Sequence, residues 1–200
     1  MGKNQSLTPP YPLILASTSS YRAQLLSQLG YIFSTQKPDT DEDYFKQLTL
    51  SPEDLASKIS QHKARSVFNH FPNSVVIGSD QVCTMEGKIF SKPGNKEKAL
   101  EQLLFMQGKE HHLLTAVTIC SPIKEVSFLN KTALKMRPLT QTEVERYLDM
   151  DKPYDCAGSY KLEGQGIKLF EAIQMSDHTS IIGLPLIELT TKLLELGFSL

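Results

Sequence analysis

The stretch Pro12-Leu-Ile-Leu-Ala-Ser-Thr-Ser-Ser-Tyr-Arg-Ala-Gln-Leu-Leu-Ser-Gln-Leu-Gly30 decides the fold class. Pro12 to Ala16 is a short apolar run that reads as a buried strand. Ser17-Thr-Ser-Ser20 is a hydroxyl-rich turn. Tyr21 to Leu29 has helical spacing, and Gly30 is a natural helix stop. A strand followed at once by a turn and a helix is the unit from which α/β sheets are built. The turn also offers hydroxyls, free backbone N–H groups and a helix N-terminus, with Arg22 just inside the helix. That combination binds anions. The plainer reading is a capped helix with a surface arginine.

The same alternation continues along the chain. Tyr31 to Thr35 reads as a second strand, and Gln36 to Phe45 as an acidic turn. Ser51-Pro-Glu-Asp54 opens a helix to about Asn69, with Ser as cap, Pro in the first position and acids in the first turn. Ser74 to Gly78 is a buried strand, and Gln81 to Thr84 a separate strand-like run. Glu86-Gly87-Lys88 is a turn, and Asn95 to Met106 a helix. His112 to Cys120 and Glu125 to Met136 pair as a hairpin. Thr140-x-x-Glu143 is a capping box opening a short helix to about Asp149. Met150 to Gly166 is a Gly-rich loop, Ile167 to Gln174 a strand, and Gly183-Leu-Pro-Leu186 leads into a last helix ended by Gly197. The fold class is α/β: one mixed sheet flanked by helices. Residues 1–11 read as a loose tail and residues 12–200 as a single domain.

Composition excludes several classes. The chain has 200 residues, 40% hydrophobic and 22% charged, with Lys+Arg 21 against Asp+Glu 22. That is ordinary for a globular chain and not for disorder, collagen or coiled coil. A net charge of −1 argues against coating a nucleic-acid polymer. Cys83, Cys120 and Cys156 are too scattered for a disulfide framework, and no CxxC pair offers a zinc site. Reduced thiols fit a cytosol. The N-terminus lacks the apolar core of a signal peptide, and no stretch is long enough for a membrane helix. A cytoplasmic protein with no membrane partner is expected.

Single residues carry modest signals. Asp80, in Gly78-Ser-Asp-Gln81, is placed at the end of a buried strand, where open α/β sheets bind ligands. It could hold Mg²⁺ or take a proton from water, or simply cap a turn. Lys92 could bring a cation to phosphate or lie solvated in a loop. Asp39, Asp41, Glu42 and Asp43 form an acidic cluster that could hold metal or line a solvated loop. His111 and His112, adjacent on a strand, should point opposite ways. Cys156 would need a base partner to act as a nucleophile.

In order along the chain stand Leu13-Ile-Leu-Ala-Ser-Thr-Ser-Ser-Tyr-Arg22, Pro38-Asp-Thr-Asp-Glu42, His62-Lys63-Ala64, Ile77-Gly-Ser-Asp-Gln-Val-Cys83, Ser91-Lys-Pro93, Cys156-Ala-Gly-Ser-Tyr-Lys-Leu-Glu-Gly164 and Ile182-Gly-Leu-Pro-Leu186. Together they strongly resemble the Maf family of nucleotide pyrophosphatases, from about Leu13 to Phe198. The resemblance implies a two-lobed α/β structure with a central nucleotide-binding cleft, a homodimer, and hydrolysis of a nucleoside triphosphate with a divalent metal, Mg²⁺ or Mn²⁺. It implies Asp80 as proton acceptor, Glu42 as helper, both as metal ligands, and Ser17, Arg22, Lys63 and Lys92 around the phosphates. Ser20 stands where the family commonly has Pro, and Ala23 where it has a second Arg.

Tyr21, Gln81 and Glu163 resemble the branch acting on 7-methyl-GTP, which it converts to 7-methyl-GMP and diphosphate. The branch acting on dTTP and UTP carries Arg, Thr and Gln there. Pyrimidine specificity is one alternative, and a non-catalytic, nucleotide-responsive regulator of cell division is another. Physical chemistry favours the first branch. N7-methylation makes guanine cationic, and a Tyr face over it contributes about 0.5–2 kcal/mol. A carboxylate at Glu163 can accept two N–H donors from the guanine edge. Gln81 offers one donor head and one acceptor head.

Overall fold

The computed structural model describes residues 10–200. The continuous apolar run Leu13–Ala16 forms β1, buried on both faces. Two parallel neighbours flank it: β2 (Phe33–Gln36) and β3 (Val75–Met85). Beyond β3 the pairing turns antiparallel through β5 (Glu110–Cys120), β6 (Glu125–Met136) and β7 (Phe170–Gln174), while β4 (Lys88–Phe90) folds back on the end of β3. The result is one seven-stranded mixed sheet, in the order β2-β1-β3-β5-β6-β7 with β4 on β3.

Among the described residues, six α-helices surround it. The cap Ser19 opens α1 (Ser20–Ser27), and Ser51 with Pro52 opens α3 (Pro52–Phe68). Asn95 caps α4 (Lys96–Met106), and the expected capping box of Thr140 and Glu143 opens α5 (Gln141–Asp151). The last helix, α6 (Leu186–Glu195), has no cap of its own. Asp177 and Thr179 reach across to its first N–H groups instead, at 2.8 Å each. None of these helices is long and apolar enough to cross a membrane.

The long strands serve two cores. Near β1, the side chains Leu15, Val75, Ile77 and Ile119 pack against α1 and α6 through Leu26, Leu189 and Leu193. Further along the same strands, Cys83, Met85, Leu113 and Leu134 pack against α4 and α5 through Leu103, Met106 and Leu148. Two lobes thus share β3, β5 and β6.

Three expectations are corrected. Gln36 to Phe45 is not all turn: Asp41 accepts from the N–H groups of Asp43 and Tyr44 and starts α2 (Glu42–Gln47). Ile167 to Gln174 is a strand only from Phe170, because Gln165–Leu169 coils into a 3-10 turn. The runs Ser74–Gly78 and Gln81–Thr84 are one unbroken strand, so Asp80 lies mid-strand and not at a strand end. As for the expected tail, residues 1–9 lie outside the described residues, while Tyr11 packs on the first core.

Gly78 sets how closely α3 lies on the sheet. A Cβ there would fall 2.5 Å from the Ser60 carbonyl oxygen and 2.6 Å from the Ala64 nitrogen, both backbone atoms of α3. Neither can swing aside. Gly78→Ala is expected to destabilise the fold by about 1–3 kcal/mol, the usual range for an overpacked core. Denaturant unfolding checks it, and an unchanged midpoint would count against this packing.

Candidate active site

On its free edge, β3 pairs with β1 as far as Gly78 and with β4 from Cys83. Ser79 to Val82 lie between, paired with β5 on the other edge but with no strand beside them on this one among the described residues. Strand alternation sends their side chains to two faces. Asp80 shares the face of Val76 and Gly78, toward α3. Ser79 and Gln81 share the face toward the turn before α6.

On α3 the buried stripe runs Leu55, Ala56, Ile59, Ser60, Lys63, Ala64, Val67. Lys63 is the one charged member. Its Nζ lies 2.8 Å from Asp80 Oδ1 and 2.6 Å from Glu42 Oε1. Only 9% of the Lys63 side chain and 10% of Asp80 are exposed. Glu42 occupies the first position of α2, so the Asp41 cap aims it at this ammonium. Burial pushes the Asp80 carboxyl above its ordinary value, against the pull of Lys63 and Arg22. Burial also pushes Glu42 up, but Lys63, helped by Lys46 and Lys92, brings it below the ordinary range. Two adjacent carboxylates with oppositely displaced pKa values suit different tasks, one as a base and one as a fixed charge.

The half-buried Arg22 is steered from the other face. Its Nε donates to the Gly183 carbonyl at 2.9 Å, and Ser79 Oγ donates to the same oxygen at 2.8 Å. Gly183 has φ +116, and a Cβ on it would stand 3.2 Å from Arg22 Nε. Burial draws the guanidinium down, opposed by the charges of Asp80 and Glu42. Ser17 lies buried in the turn before α1 and accepts from the Ser19 N–H at 3.1 Å.

A cleft of about 670 Å³ opens over this edge. All nine residues expected from the sequence line it: Ser17, Tyr21, Arg22, Glu42, Lys63, Asp80, Gln81, Lys92 and Glu163. Sequence reasoning missed Lys37, Lys46, Asp155 and Lys161, which also line it. Lys37 and Lys46 flank the acidic cluster, so the Lys-x₈-Lys frame around it was the overlooked signal.

One expectation is narrowed. The Gln81 amide nitrogen donates to Thr115 Oγ1 and to the carbonyls of Ser180 and Ile181 at 2.9–3.0 Å. Its donor head is spent inside the protein, and only the oxygen remains for a ligand.

The remaining polar residues are accounted for. The acidic cluster disperses: Asp41 caps α2 and Asp43 pairs with Lys46. His111 is buried and His112 half-buried, facing opposite ways as expected. Cys83 and Cys120 are buried packing residues. Burial and Asp155 push the Cys156 thiol up to about 12, which removes it as a nucleophile.

No group of three or more His, Cys, Asp or Glu gathers to hold a metal among the described residues. Glu42 and Asp80 do suit Mg²⁺ in its usual setting, where one or two carboxylates hold the ion together with substrate phosphates.

The cleft holds charges of both signs. Lys63, Arg22, Lys46 and Lys92 bear on Glu42 and Asp80. Asp155, Cys156, Lys161, Glu163 and Tyr21 line the same cleft, with Lys161 paired to Asp155 at 3.0 Å. A mixed α/β sheet with a cleft over a gap in one strand edge, lined by Lys63, Arg22, Asp80 and Glu42, is the frame of the site.

The chain belongs to the Maf-like protein family, whose profile matches residues 12–196. It is 46% identical over 187 residues to the 7-methyl-GTP pyrophosphatase of Bdellovibrio bacteriovorus, covering 94% of this chain and 97% of that one. It is 46% identical to the 7-methyl-GTP pyrophosphatase of Xanthomonas oryzae pv. oryzae, covering 94% and 98%. Among solved structures, the Staphylococcus aureus Ham1 protein overlays 90% of this chain and 98% of its own, with a TM-score of 0.45 and 12% identity.

Removing Lys63 tests the electrostatics. In Lys63→Met the buried Asp80 loses its nearest cation, so its carboxyl rises further. The acid limb of any reaction that needs the Asp80 anion should move to higher pH. Breaking such a buried pair costs about 3–5 kcal/mol when the partner stays charged, and the loss should shrink at low pH as Asp80 takes up a proton. A pH–rate profile and unfolding at two pH values check both. An unmoved acid limb would contradict the pairing.

Proposed function

We propose that this chain hydrolyses 7-methyl-GTP to 7-methyl-GMP and diphosphate, with a divalent cation, and so removes a modified nucleotide. The observation that carries this is the cleft's lining. Lys63, Arg22, Lys46 and Lys92 act on the Asp80 and Glu42 carboxylates, while the Tyr21 phenol, the Glu163 carboxylate and the Lys161–Asp155 pair line the rest of the cleft. That matches a triphosphate joined to a cationic purine.

In this reading Asp80 accepts a proton from water as the water oxygen attacks the α-phosphorus. The bond between the α-phosphorus and the bridging oxygen breaks, and diphosphate leaves with the electron pair. Its raised pKa makes Asp80 a better proton acceptor than an ordinary aspartate at neutral pH, provided it starts ionised. Lys63 keeps it so. Arg22, Lys92 and the Ser17 hydroxyl hold the phosphates and offset charge on the leaving group. A bound Mg²⁺ or Mn²⁺ would supply further charge neutralisation on the phosphate oxygens, with Glu42 and Asp80 as its protein ligands. Tyr21 stacks on the methylated ring. Glu163 accepts N–H donors from the guanine edge, and the Gln81 oxygen adds an acceptor. A cytoplasmic homodimer is the setting we infer for it.

Asp80→Asn should lower turnover by at least about a hundredfold, the low end for general-base catalysis, with the fold intact by circular dichroism. Near-normal turnover in that variant would remove the base assignment. A diphosphate-release assay of the wild type should rank 7-methyl-GTP above GTP, dTTP and UTP, and lose activity in EDTA. A preference for dTTP or UTP would favour the pyrimidine alternative.

A further inference from the structure

Resting on that reading, we propose that Lys161 is a further specificity-determining residue, its ammonium donating a hydrogen bond to the ring carbonyl of the bound base beside the carboxylate of Glu163. Lys161 lines the cleft, and its Nζ lies 3.0 Å from Asp155 Oδ1. An ammonium has three donors, so two remain for a ligand. Glu163, two residues on, also lines the cleft and can only accept when ionised. A donor beside an acceptor fits the guanine edge, where the O6 carbonyl adjoins the N1 and N2 N–H groups. Adenine presents a donor and then an acceptor there, the reverse order.

The segment carrying both residues is held rigidly. The Lys161 backbone N–H donates to the Tyr147 hydroxyl at 2.9 Å. Ser159 is buried in the left-handed region with φ 64, and its hydroxyl donates to Gln102 Oε1 at 2.6 Å. The Tyr160 hydroxyl meets the buried His111 Nε2 at 2.9 Å. A non-glycine residue at positive φ is strained and persists only when its surroundings over-determine it. Three anchors from α4, α5 and β5 do so here.

The ion pair with Asp155 is not needed as a fourth anchor. A partly exposed ion pair adds little beside the three anchoring hydrogen bonds. Its effect on a ligand is larger. A bare ammonium would repel the methylated ring. With Asp155 offsetting Lys161, the charge of Glu163 is left to meet the cationic purine.

The test compares kcat/KM for GTP and ATP, a pair that leaves out the N7 charge, alongside KM for 7-methyl-GTP. In Lys161→Met the GTP-over-ATP ratio should fall about tenfold, the loss of one hydrogen bond to a charged group. KM for 7-methyl-GTP should rise, with kcat and the acid limb of its pH profile unmoved. Lys161→Arg should restore most of the ratio. Thermal unfolding should match the wild type. An unchanged ratio in a stable Lys161→Met overturns the proposal. So does an equal loss on both nucleotides with a lowered melting temperature. A wild type that prefers dTTP or UTP overturns the substrate reading instead, before any variant is made.

Discussion

One ammonium group between two carboxylates organises this molecule. Lys63 reaches the site only because α3 lies directly on β3, and α3 does so only because residue 78 has no side chain. A charged residue in an apolar stripe is costly unless it is paired. Asp80 and Glu42 supply that pairing from a strand and from the first turn of a short helix. Fold and site are therefore one arrangement: the packing that buries Leu55, Ile59 and Val67 also delivers the cation that draws the buried Asp80 carboxyl back toward its ionised form.

The sheet contributes a gap. The end of β1 and the return of β4 leave four residues of β3 without a neighbour on one edge. Strand alternation there sends Asp80 to one face and Ser79 with Gln81 to the other. The second face is closed by the turn before α6, whose Gly183 carbonyl takes hydrogen bonds from both Ser79 and Arg22. The Asp80 carboxylate and the Arg22 guanidinium are thus held from opposite sides of one strand.

Much of this was legible in the residues. The apolar run Leu13–Ala16, the Ser51-Pro52 start and the Thr140/Glu143 box gave their elements correctly, because caps and periodicity are local. All nine expected site residues line a single cleft. What local patterns hide is long-range. The short helix α2 depends on Asp41 capping a stretch whose composition reads as turn. The continuity of β3 through Ser79 and Asp80 depends on nine register pairs with β5, which outweigh the weak strand preference of those two residues. The spent donor of Gln81 arises from carbonyls a hundred positions away.

The central claim is that a buried aspartate, raised by burial and held ionised by Lys63, is the proton acceptor. Carbon-13 NMR of the Asp80 carboxyl, titrated in the wild type, tests it most directly. The account predicts a carboxyl that titrates above the ordinary aspartate range, at the same pH as the acid limb of the reaction. An Asp80 that titrates in the ordinary range, or apart from that limb, would contradict it.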